Sequence, residues 1–396
     1  MAKRLAIPSK EIQLFIVGPR DSFKASRIQR LSLNTDIPST DIDELGSATH
    51  AGQTKDLPNV TLAFSAFDVG VKVFSVLTGV DPDGWVLDTG VDIVELGEID
   101  AVLYVKTDSV ATYAKSGSAR RMQIRDFTFT YSVDGESTED YNAVGSEKRW
   151  LKYDTIIQKE TVGDTSFVLD ETPIGLLNGK TLISVIGDGA YLTEVTGAPA
   201  TGEYRVVGTT VTTFDTIASQ ILFVYHANAA NAWTDVSDST LPAAIKGKDV
   251  DVKILAETID RVQSVTINGN LNSTAVAEMG VRSMVGYQRQ IPTVDGTITV
   301  LDTDTELIAL LTNGVTTSGQ EWAPGEGCST TALSLTIELV DPCDTTDPYT
   351  VLKTVYIPSI IIVGDSYTAN VNNNVSQVFN FKSEFGTCVV YSGAKS

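Results

Sequence analysis

The strongest constraint on this chain is an internal repeat, in which residues 27–79 recur at residues 261–313 without a gap, 234 positions later. The two segments share 13 identities over 53 aligned positions, whereas average composition gives about three by chance. Most remaining apolar positions exchange one apolar residue for another. A repeat of this kind predicts one supersecondary plan that the chain uses twice.

The first copy predicts a strand, a polar loop, a second strand and a short helix. Residues 60–67 alternate apolar and polar side chains, which is typical of a half-buried strand. Asp68 stands where a helix N-cap is expected, and an apolar stripe runs from Val71 to Leu77 before Gly79.

The second copy predicts the same order, with residues 297–301 as the strand and Asp302 as the helix cap. In the first copy, residues 39–41 also predict a short helical turn that ends at Gly46. Later, residues 122–131 resemble residues 355–364, with the offset changed by one position.

Residues 155–247 have no counterpart in the repeat and read as short strands between turns, which predicts a small inserted β-sandwich. The expected domains are therefore 1–154, 155–247 and 248–396. The predicted fold class is mainly β, with two similar barrel or sandwich domains that each carry a short flanking helix.

Composition restricts the partners. The formal net charge is −21, from 50 acidic and 29 basic residues, which is opposite in sign to what a duplex DNA binder needs. Solubility alone explains such a charge, and so does a surface that lies near DNA without binding it. No apolar run is long enough to cross a membrane, and the first residues lack the apolar core of a secretory signal.

Catalytic motifs are scarce. The two histidines, His50 and His226, fall in different predicted domains, and no HExxH, phosphate-binding loop or nucleophile elbow occurs. The acidic stretch from Asp81 to Glu98 lacks the residue order of an EF-hand. The three cysteines are too widely spaced for a disulfide framework or a zinc site. We therefore expect no enzyme activity, no cofactor and no bound metal.

Residues 360–363, Ile-Ile-Ile-Val, are apolar at consecutive positions, so the strand they form must be covered on both faces. Burial in a domain core would meet this need, and burial between subunits is the alternative. The basic pairs Arg120-Arg121 and Lys148-Arg149 are too few for a nucleic-acid stripe, and they would suit contacts with acids of a neighbouring subunit.

Together these features resemble the tail tube proteins of tailed bacteriophages. The resemblance rests on the strand-rich acidic chain and on the segment from Arg27 to Gly79. It also rests on residues 126–135, DFTFTYSVDG, which lead to Trp150 and look like the late strands of such proteins.

The resemblance implies a β-barrel or sandwich with one flanking helix in each copy. Subunits of that family join their sheets into a ring around a lumen, rings stack into a tube, and DNA passes through a lumen that is commonly acidic. Most members supply one domain to a six-membered ring. Two domains per chain therefore imply a ring of three chains with pseudo-sixfold symmetry.

The resemblance also implies contacts and partners. The family loop that often meets the next ring corresponds to the loops after Gly46 and Gly280. The candidate inter-ring residues are Gly46, Gly52, Pro58, Gly280, Gly286 and Pro292. The partners would be further copies of the chain and the tape measure, baseplate and terminator proteins of a virion tail assembled in the host cytoplasm. DNA would pass without specific binding, and no membrane would be involved.

Three other functions stay open on the sequence alone. A trimeric baseplate hub or distal tail protein can also carry two such domains in one chain. A β-sandwich adhesin or carbohydrate-binding protein belongs to a different class, and it predicts a signal peptide and aromatic-lined faces. An enzyme ranks third, because abundant acids would allow a glycosidase pair.

Overall fold

The computed structural model describes residues 12–25, 27–43, 45, 50, 52–68, 70–80, 89–107, 110–152, 154–160, 163–228, 244–255, 257–279, 286–301, 333–344, 349–369 and 375–395, with side chains at 106–114 excepted. The protein is mainly β, with 62% of the described residues in strands and 4% in helices. This confirms the predicted mainly β class, and the flanking helix expected in the second copy lies outside the described residues. Within these ranges no helix is long and apolar enough to cross a membrane.

The described part of the first copy has eleven strands and one α-helix. They are β1 Ile12–Val17, β2 Ser22–Lys24, β3 Ile28–Asp36, β4 Ser39–Ile42, β5 Gly52–Lys55, β6 Asn59–Phe67, α1 Lys72–Thr78, β7 Val91–Asp92, β8 Glu98–Thr107, β9 Val110–Ser132, β10 Thr138–Gly145 and β11 Glu147–Leu151, with a 3-10 turn at Ile93–Glu95. Gly79 ends α1 in the left-handed conformation, as its position in the sequence predicts.

The middle segment forms two four-stranded sheets. Its strands are β12 Asp154–Glu160, β13 Ser166–Val168, β14 Ser184–Gly187, β15 Ala190–Tyr191, β16 Thr193–Glu194, β17 Glu203–Val207, β18 Thr210–Thr213 and β19 Ile221–Ala227. The sheet orders are β12-β19-β14-β15 and β13-β18-β17-β16. Side chains from both sheets, such as Phe223 and Val211, share one apolar core.

The second copy has ten described strands. They are β20 Val250–Ile254, β21 Glu257–Thr258, β22 Val262–Asn270, β23 Thr274–Val276, β24 Gly286–Gln288, β25 Thr293–Leu301, β26 Leu333–Val340, β27 Val351–Thr368, β28 Ser376–Ser383 and β29 Val389–Ser392, with a 3-10 turn at Gly247–Asp249 before β20.

The repeat in the sequence is a repeat of topology. β3 and β22 begin and end 234 positions apart, and so do β6 and β25. In the first copy the pairs run β3–β6, β6–β10, β10–β9, β9–β8 and β8–β1, and in the second they run β22–β25, β25–β28, β28–β27, β27–β26 and β26–β20.

The first identities of the repeat have a local structural cause. Arg27 and Arg261 both take positive φ angles, 57° and 62°, and a register shift follows each of them. Gln29 and Gln263 each donate a side-chain hydrogen bond back to that arginine's carbonyl, at 3.1 and 3.3 Å. The Arg-x-Gln triplet therefore builds the same strand entry twice.

The late strands correct the sequence alignment. β9 has a bulge at Arg125, where it pairs with β10, and β27 has a bulge at Val363, where it pairs with β28. The two bulges lie at equivalent positions of the two copies. The equivalent residues of these strands are therefore 238 positions apart. The sequence alignment of residues 122–131 with residues 355–364, in which the offset of 234 changes by only one position, is wrong. The offset grows by four residues, because the connection between β26 and β27 is longer than that between β8 and β9.

Two local expectations for the first copy are also wrong. Residues 39–41 form β4, which pairs with β5 as a hairpin, and no helical turn forms there. Asp68 does not cap α1, because the helix begins at Lys72 with Val71 at the N-cap position. The Asp68 carboxylate accepts a hydrogen bond from the Gly70 backbone N–H at 3.0 Å. It also forms an ion pair with a buried lysine, which is described below. Asp302 lies outside the described residues.

The inserted sandwich packs on one face of the β1–β8 pair. Val17 and Val102 meet Ile186 and Leu222 of the insert in a separate apolar cluster. Alternate residues of the same two strands, such as Leu14 and Leu103, face the main core, so the insert lies on the side of these strands that faces away from that core.

A buried polar bridge fixes the insert in place. The Tyr104 hydroxyl donates to the Thr155 carbonyl, and the Thr155 hydroxyl lies 2.8 Å from Ser116 Oγ and 3.1 Å from His226 Nδ1. Burial lowers the pKa of His226 to about 4, so the ring is neutral at pH 7.

Candidate assembly interface

Eight antiparallel strands form a continuous run that we call the central sheet. Its order is β3-β6-β10-β9-β22-β25-β28-β27. One face is apolar and buried, as Phe64, Phe129 and Ile298 illustrate. The opposite face carries mostly Thr, Ser, Asn and Asp, because side chains alternate along each strand.

The two copies meet inside the central sheet where β9 pairs with β22, and we call this pairing the joint. It runs from Ser132 opposite Ser264 to Asp126 opposite Asn270. Midway, Thr128 Oγ1 lies 3.1 Å from Asn268 Oδ1. One chain thus already contains a finished contact between the end strand of one copy and the first strand of the next.

The central sheet ends at β3 and at residues 360–368 of β27, and the described part of the chain supplies no strand beyond either. β3 is the counterpart of β22, and residues 364–368 are the counterpart of the β9 residues in the joint. The two ends are therefore the two halves of a second joint. Such edges offer backbone N–H and C=O groups to another chain, and at β3 one of these groups, the Leu33 carbonyl, already accepts a hydrogen bond from Lys148 Nζ.

Burial distinguishes the finished joint from the two ends. Phe129 is fully buried in the joint, whereas its counterpart Tyr367 is 59% exposed. Val265 and Ile267 are buried, whereas Leu31 and Leu33 are only half-buried. The core covers only part of the apolar run of β27: Ile360 is buried, whereas Ile361 is 50% exposed and Val363 is 54% exposed.

The polar face of the central sheet bears more acids than bases. Strand pairing places these charged residues on it: Asp36, Asp126, Asp140, Asp295, Arg30 and Lys382, together with Arg125, which lies in the bulge of β9 and pairs with Asp126 at 2.9 Å. The other positions are filled mainly by short uncharged side chains. This face is hydrophilic, smooth and weakly acidic.

A buried ion cluster lies behind the joint. Lys353 of β27 is completely buried, and its Nζ lies 2.8 Å from Asp68 Oδ2. The same ammonium also contacts the Glu139 carboxylate and lies 4.7 Å from the centre of the Phe129 ring. A lysine of the second copy therefore enters the core of the first copy and is held by two carboxylates.

The cluster has one carboxylate more than it has ammonium groups. Burial, together with the nearby Asp68 charge, raises the pKa of Glu139 to about 8. Burial alone would lower the pKa of Lys353, but Asp68 and Glu139 together raise it. Glu139 therefore carries a proton near neutral pH, and the cluster is then electrically balanced.

We expect Glu139→Gln to change how stability depends on pH. A raised pKa in the folded state means that the stability contributed by Glu139 is fully present below about pH 4.5 and is lost as pH rises toward 8. The variant lacks this loss, so its stability relative to wild type should rise across that window by up to about 1.4 kcal/mol per pH unit. Urea unfolding at several pH values measures this.

The matched control for that variant is Glu136→Gln, because Glu136 lies on the same chain segment but is exposed. A stability difference between Glu139→Gln and wild type that stays constant from pH 4.5 to 8 would contradict the buried, protonated Glu139. An amide is accommodated at this position, since the counterpart of Glu139 in the second copy is Gln377, which is also buried.

The residues that the sequence singles out for inter-ring contact lie at two hairpins. Gly52 begins β5 and Gly286 begins β24, and the β4–β5 and β23–β24 hairpins are largely solvent-exposed. Pro58 and Pro292 are half-buried just before β6 and β25. Gly46 and Gly280 lie outside the described residues, and the inter-ring role of all six stays a prediction.

The basic pairs are largely satisfied within the chain. Arg121 pairs with Glu98 at 2.7 Å, and Arg120 approaches Glu147 at 3.9 Å. Lys148 reaches β3, where its Nζ donates to the Leu33 carbonyl at 2.7 Å. Among the described side chains, no group of three or more His, Cys, Asp or Glu residues could hold a metal ion.

Sequence reasoning missed Lys353 and Glu139. Lys353 alternates with the apolar Val355 and Ile357, so it falls on an apolar strand face. A lysine in that position is a signal for a buried partner, but the strand pattern does not say which acids supply it.

No protein-family model and no curated protein matches the sequence. Among solved structures, a chain from the virion of a native gene transfer agent particle is similar over 38% of this chain and 99% of that chain, with 15% identity and a TM-score of 0.25. A TM-score this low does not establish a shared fold, so the function proposed below rests on strand pairing and burial in this chain.

Proposed function

We propose that this protein is a structural virion protein that forms the rings of a phage-type tail tube. The observation that carries the proposal is that the two open ends of the central sheet are counterparts of the two strands already joined inside the chain. Three chains with eight central strands each would close a barrel of 24 strands.

The two ends differ from each other, so pairing between chains is head to tail. Contacts of this kind close into a ring when the rotation per subunit fits, and otherwise grow as an open helix. The joint inside the chain sets the rotation between the two copies of one chain. In the ring, the same rotation would relate the second copy of one chain to the first copy of the next. Closure also removes the exposed edges that would make a lone chain prone to aggregation.

The chemistry of the two ends fits the register copied from the joint. Asn34 would lie opposite Ser366, which repeats the amide and hydroxyl pair of Asn268 and Thr128. Thr35 would lie opposite Asp365. In the joint the equivalent positions hold Gly269, the counterpart of Thr35, and Phe127, the counterpart of Asp365.

That exchange has a steric reason. In the joint, a Cβ at Gly269 would lie 2.1 Å from the Phe127 ring, so the large ring demands glycine there. At the chain ends the smaller Asp365 leaves room for the Thr35 side chain. The two pairs of facing residues are thus matched in size in both places.

The polar face of the central sheet would line the lumen, because the buried face and the inserted sandwich lie on the other side. Its short side chains and excess of Asp would repel phosphate groups and provide few donors to hold them. DNA would pass without being bound. The exposed β4–β5 and β23–β24 hairpins would contact the next ring, and the other tail proteins would meet the tube at its ends.

Paired cysteines test the head-to-tail contact. In a chain with Cys328 and Cys343 changed to Ser, we expect Asn34→Cys with Ser366→Cys to form disulfides between chains under oxidation, because facing residues of antiparallel strands are close enough to bridge. Non-reducing gels should show cross-linked dimers and a major trimer. If the oxidised double-cysteine protein gives only the monomer band, even at high protein concentration, the proposal is overturned.

The matched control is Thr128→Cys with Asn268→Cys, which places the same pair in the joint. Its disulfide should form within one chain, leaving the apparent mass of a monomer. Electron microscopy of the wild-type protein completes the test. Stacked rings support a tube, whereas trimers that never stack would identify the baseplate hub or distal tail protein instead.

A further inference from the structure

Each copy contributes a second sheet that lies beside the central sheet. In the second copy this flanking sheet consists of β20, β26, the first half of β27 and β29. The Lys353 contacts to Asp68 and Glu139 show that it covers the first copy's part of the central sheet, behind the joint. Each joint is thus closed from behind by the flanking sheet of the copy that follows.

The first copy has the same flanking sheet, made of β1, β8, the first half of β9 and β11. The bond from Lys148 to the Leu33 carbonyl shows that it reaches β3, at the open end of the central sheet. It therefore stands where the flanking sheet of the second copy stands relative to β22. Beyond β3, the described chain provides nothing for it to cover.

The residues on its inner face are exposed where their counterparts are buried. Strand pairing makes Lys115 the counterpart of Lys353 and Trp150 the counterpart of Val390. Lys353 and Val390 are fully buried, whereas Lys115 is exposed and Trp150 is 47% exposed. A large aromatic ring that is left half-exposed on a sheet face is a common anchor of protein interfaces.

We propose that Trp150 and Lys115 form a clamp that closes on Tyr367 and Asp365 of a second copy of this chain. The inference rests on the proposed ring and specifies the residues that fasten it. The repeat indicates the occupant, since Phe129, over which Lys353 lies, has its counterpart in Tyr367 on the exposed end of β27. The counterpart of Glu139 is Gln377 on the neighbouring strand β28, and that of Asp68 is Asp302, which lies outside the described residues.

The chemistry of the clamp follows that of the internal cluster. Lys353 lies over the Phe129 ring, and the counterpart ring is Tyr367. Lys115 already lies 4.5 Å from the centre of the Trp150 ring, so the ammonium would sit between two aromatic faces.

A carboxylate is also available at the exposed end. The Asp365 carboxylate accepts a hydrogen bond from Gln377 Nε2 at 3.1 Å, and Gln377 replaces Glu139. In the first copy the carboxylate is on β10, at Glu139. At the exposed end the equivalent position on β28 is the uncharged Gln377, and the carboxylate is on the adjacent strand β27, at Asp365, still within reach of a lysine that covers Tyr367. Closing the ring would desolvate this ion pair and strengthen it.

Charge exchange tests the clamp. We expect Lys115→Glu to raise the protein concentration needed for half-assembly by about tenfold or more, and Asp365→Lys to do the same. The chain that carries both changes should recover most of the lost assembly. Analytical ultracentrifugation across a dilution series measures this, and circular dichroism checks that each variant is folded.

Trp150→Ala should weaken assembly by a similar factor, and the charge control is Lys72→Glu, on the exposed side of α1. If wild type forms rings but Lys115→Glu forms them equally well, the clamp is wrong and the proposed ring stands. Failure of the double variant to assemble better than either single change also overturns the clamp. If wild type stays monomeric, it is the proposed function that fails.

Discussion

Lys353→Met is expected to lower the free energy of unfolding by about 3–5 kcal/mol, because it leaves the Asp68 carboxylate buried without a cation, next to a Glu139 that carries a proton. Asp68 and Glu139 are both completely or almost completely buried, so water cannot replace the lost ammonium. Methionine has a similar shape, which keeps the packing loss small. Urea unfolding at pH 7 measures the change, and a loss of this size is a large part of the stability of an ordinary domain.

A half-exposed lysine provides the comparison. Lys253 pairs with Glu338 at 2.6 Å on the neighbouring strands, but water reaches this pair, so Lys253→Met should cost no more than about 1 kcal/mol. Adding Asp68→Asn and Glu139→Gln to Lys353→Met should restore part of the lost stability, because no buried carboxylate is then left to carry an uncompensated charge. Equal costs for Lys353→Met and Lys253→Met would contradict the buried cluster.

Strand order within the repeat could be predicted well from the sequence. β6 shows a clean alternation of apolar and polar residues, and its counterpart β25 is found at the same offset. Both signals are local, since they depend on side-chain period and on turn residues at the strand ends. This is why these strands, the end of α1 at Gly79 and the mainly β fold class agree with the structure.

The role of Asp68 could not be predicted in this way. An acid just before an apolar stripe is a good local signal for a helix cap, but the acid faces a lysine that lies 285 positions later in the chain. The Asp68 carboxylate pairs with this buried lysine instead of capping the helix. Residues 39–41 were similarly misread, because hairpin pairing with β5 outweighs their tendency to begin a helix.

The assembly surface could be predicted only in outline. The apolar run at residues 360–363 required cover, and the sequence could not decide between the core and a neighbouring subunit. The structure leaves Ile361 and Val363 half-exposed at a sheet edge, which favours a subunit. In the sequence Trp150 indicates only the end of the late strands, and Lys115 gives no signal, since the proposed contact role of both follows from the burial of their counterparts Val390 and Lys353 in the other copy.

Thr35→Pro is expected to abolish ring formation while leaving the chain folded. In the joint, the carbonyl of Gln263 and the N–H of Leu271 bond to β9, so odd-numbered residues of β22 point their backbone groups toward the partner strand. Thr35, the counterpart of Gly269, therefore points its N–H out of the sheet edge, where a proline is tolerated in a lone chain but blocks pairing with another strand.

Size-exclusion chromatography with light scattering should then find only monomers of Thr35→Pro, at concentrations where the wild-type protein forms rings. Thr35→Val is the matched control, because it loses the hydroxyl but keeps the N–H, and it should still assemble. Thermal unfolding of the two variants should differ by about 1 kcal/mol or less, since β3 bonds to β6 through its even-numbered residues. Rings of Thr35→Pro with normal stability would mean that the chains meet through some surface other than the edge of β3.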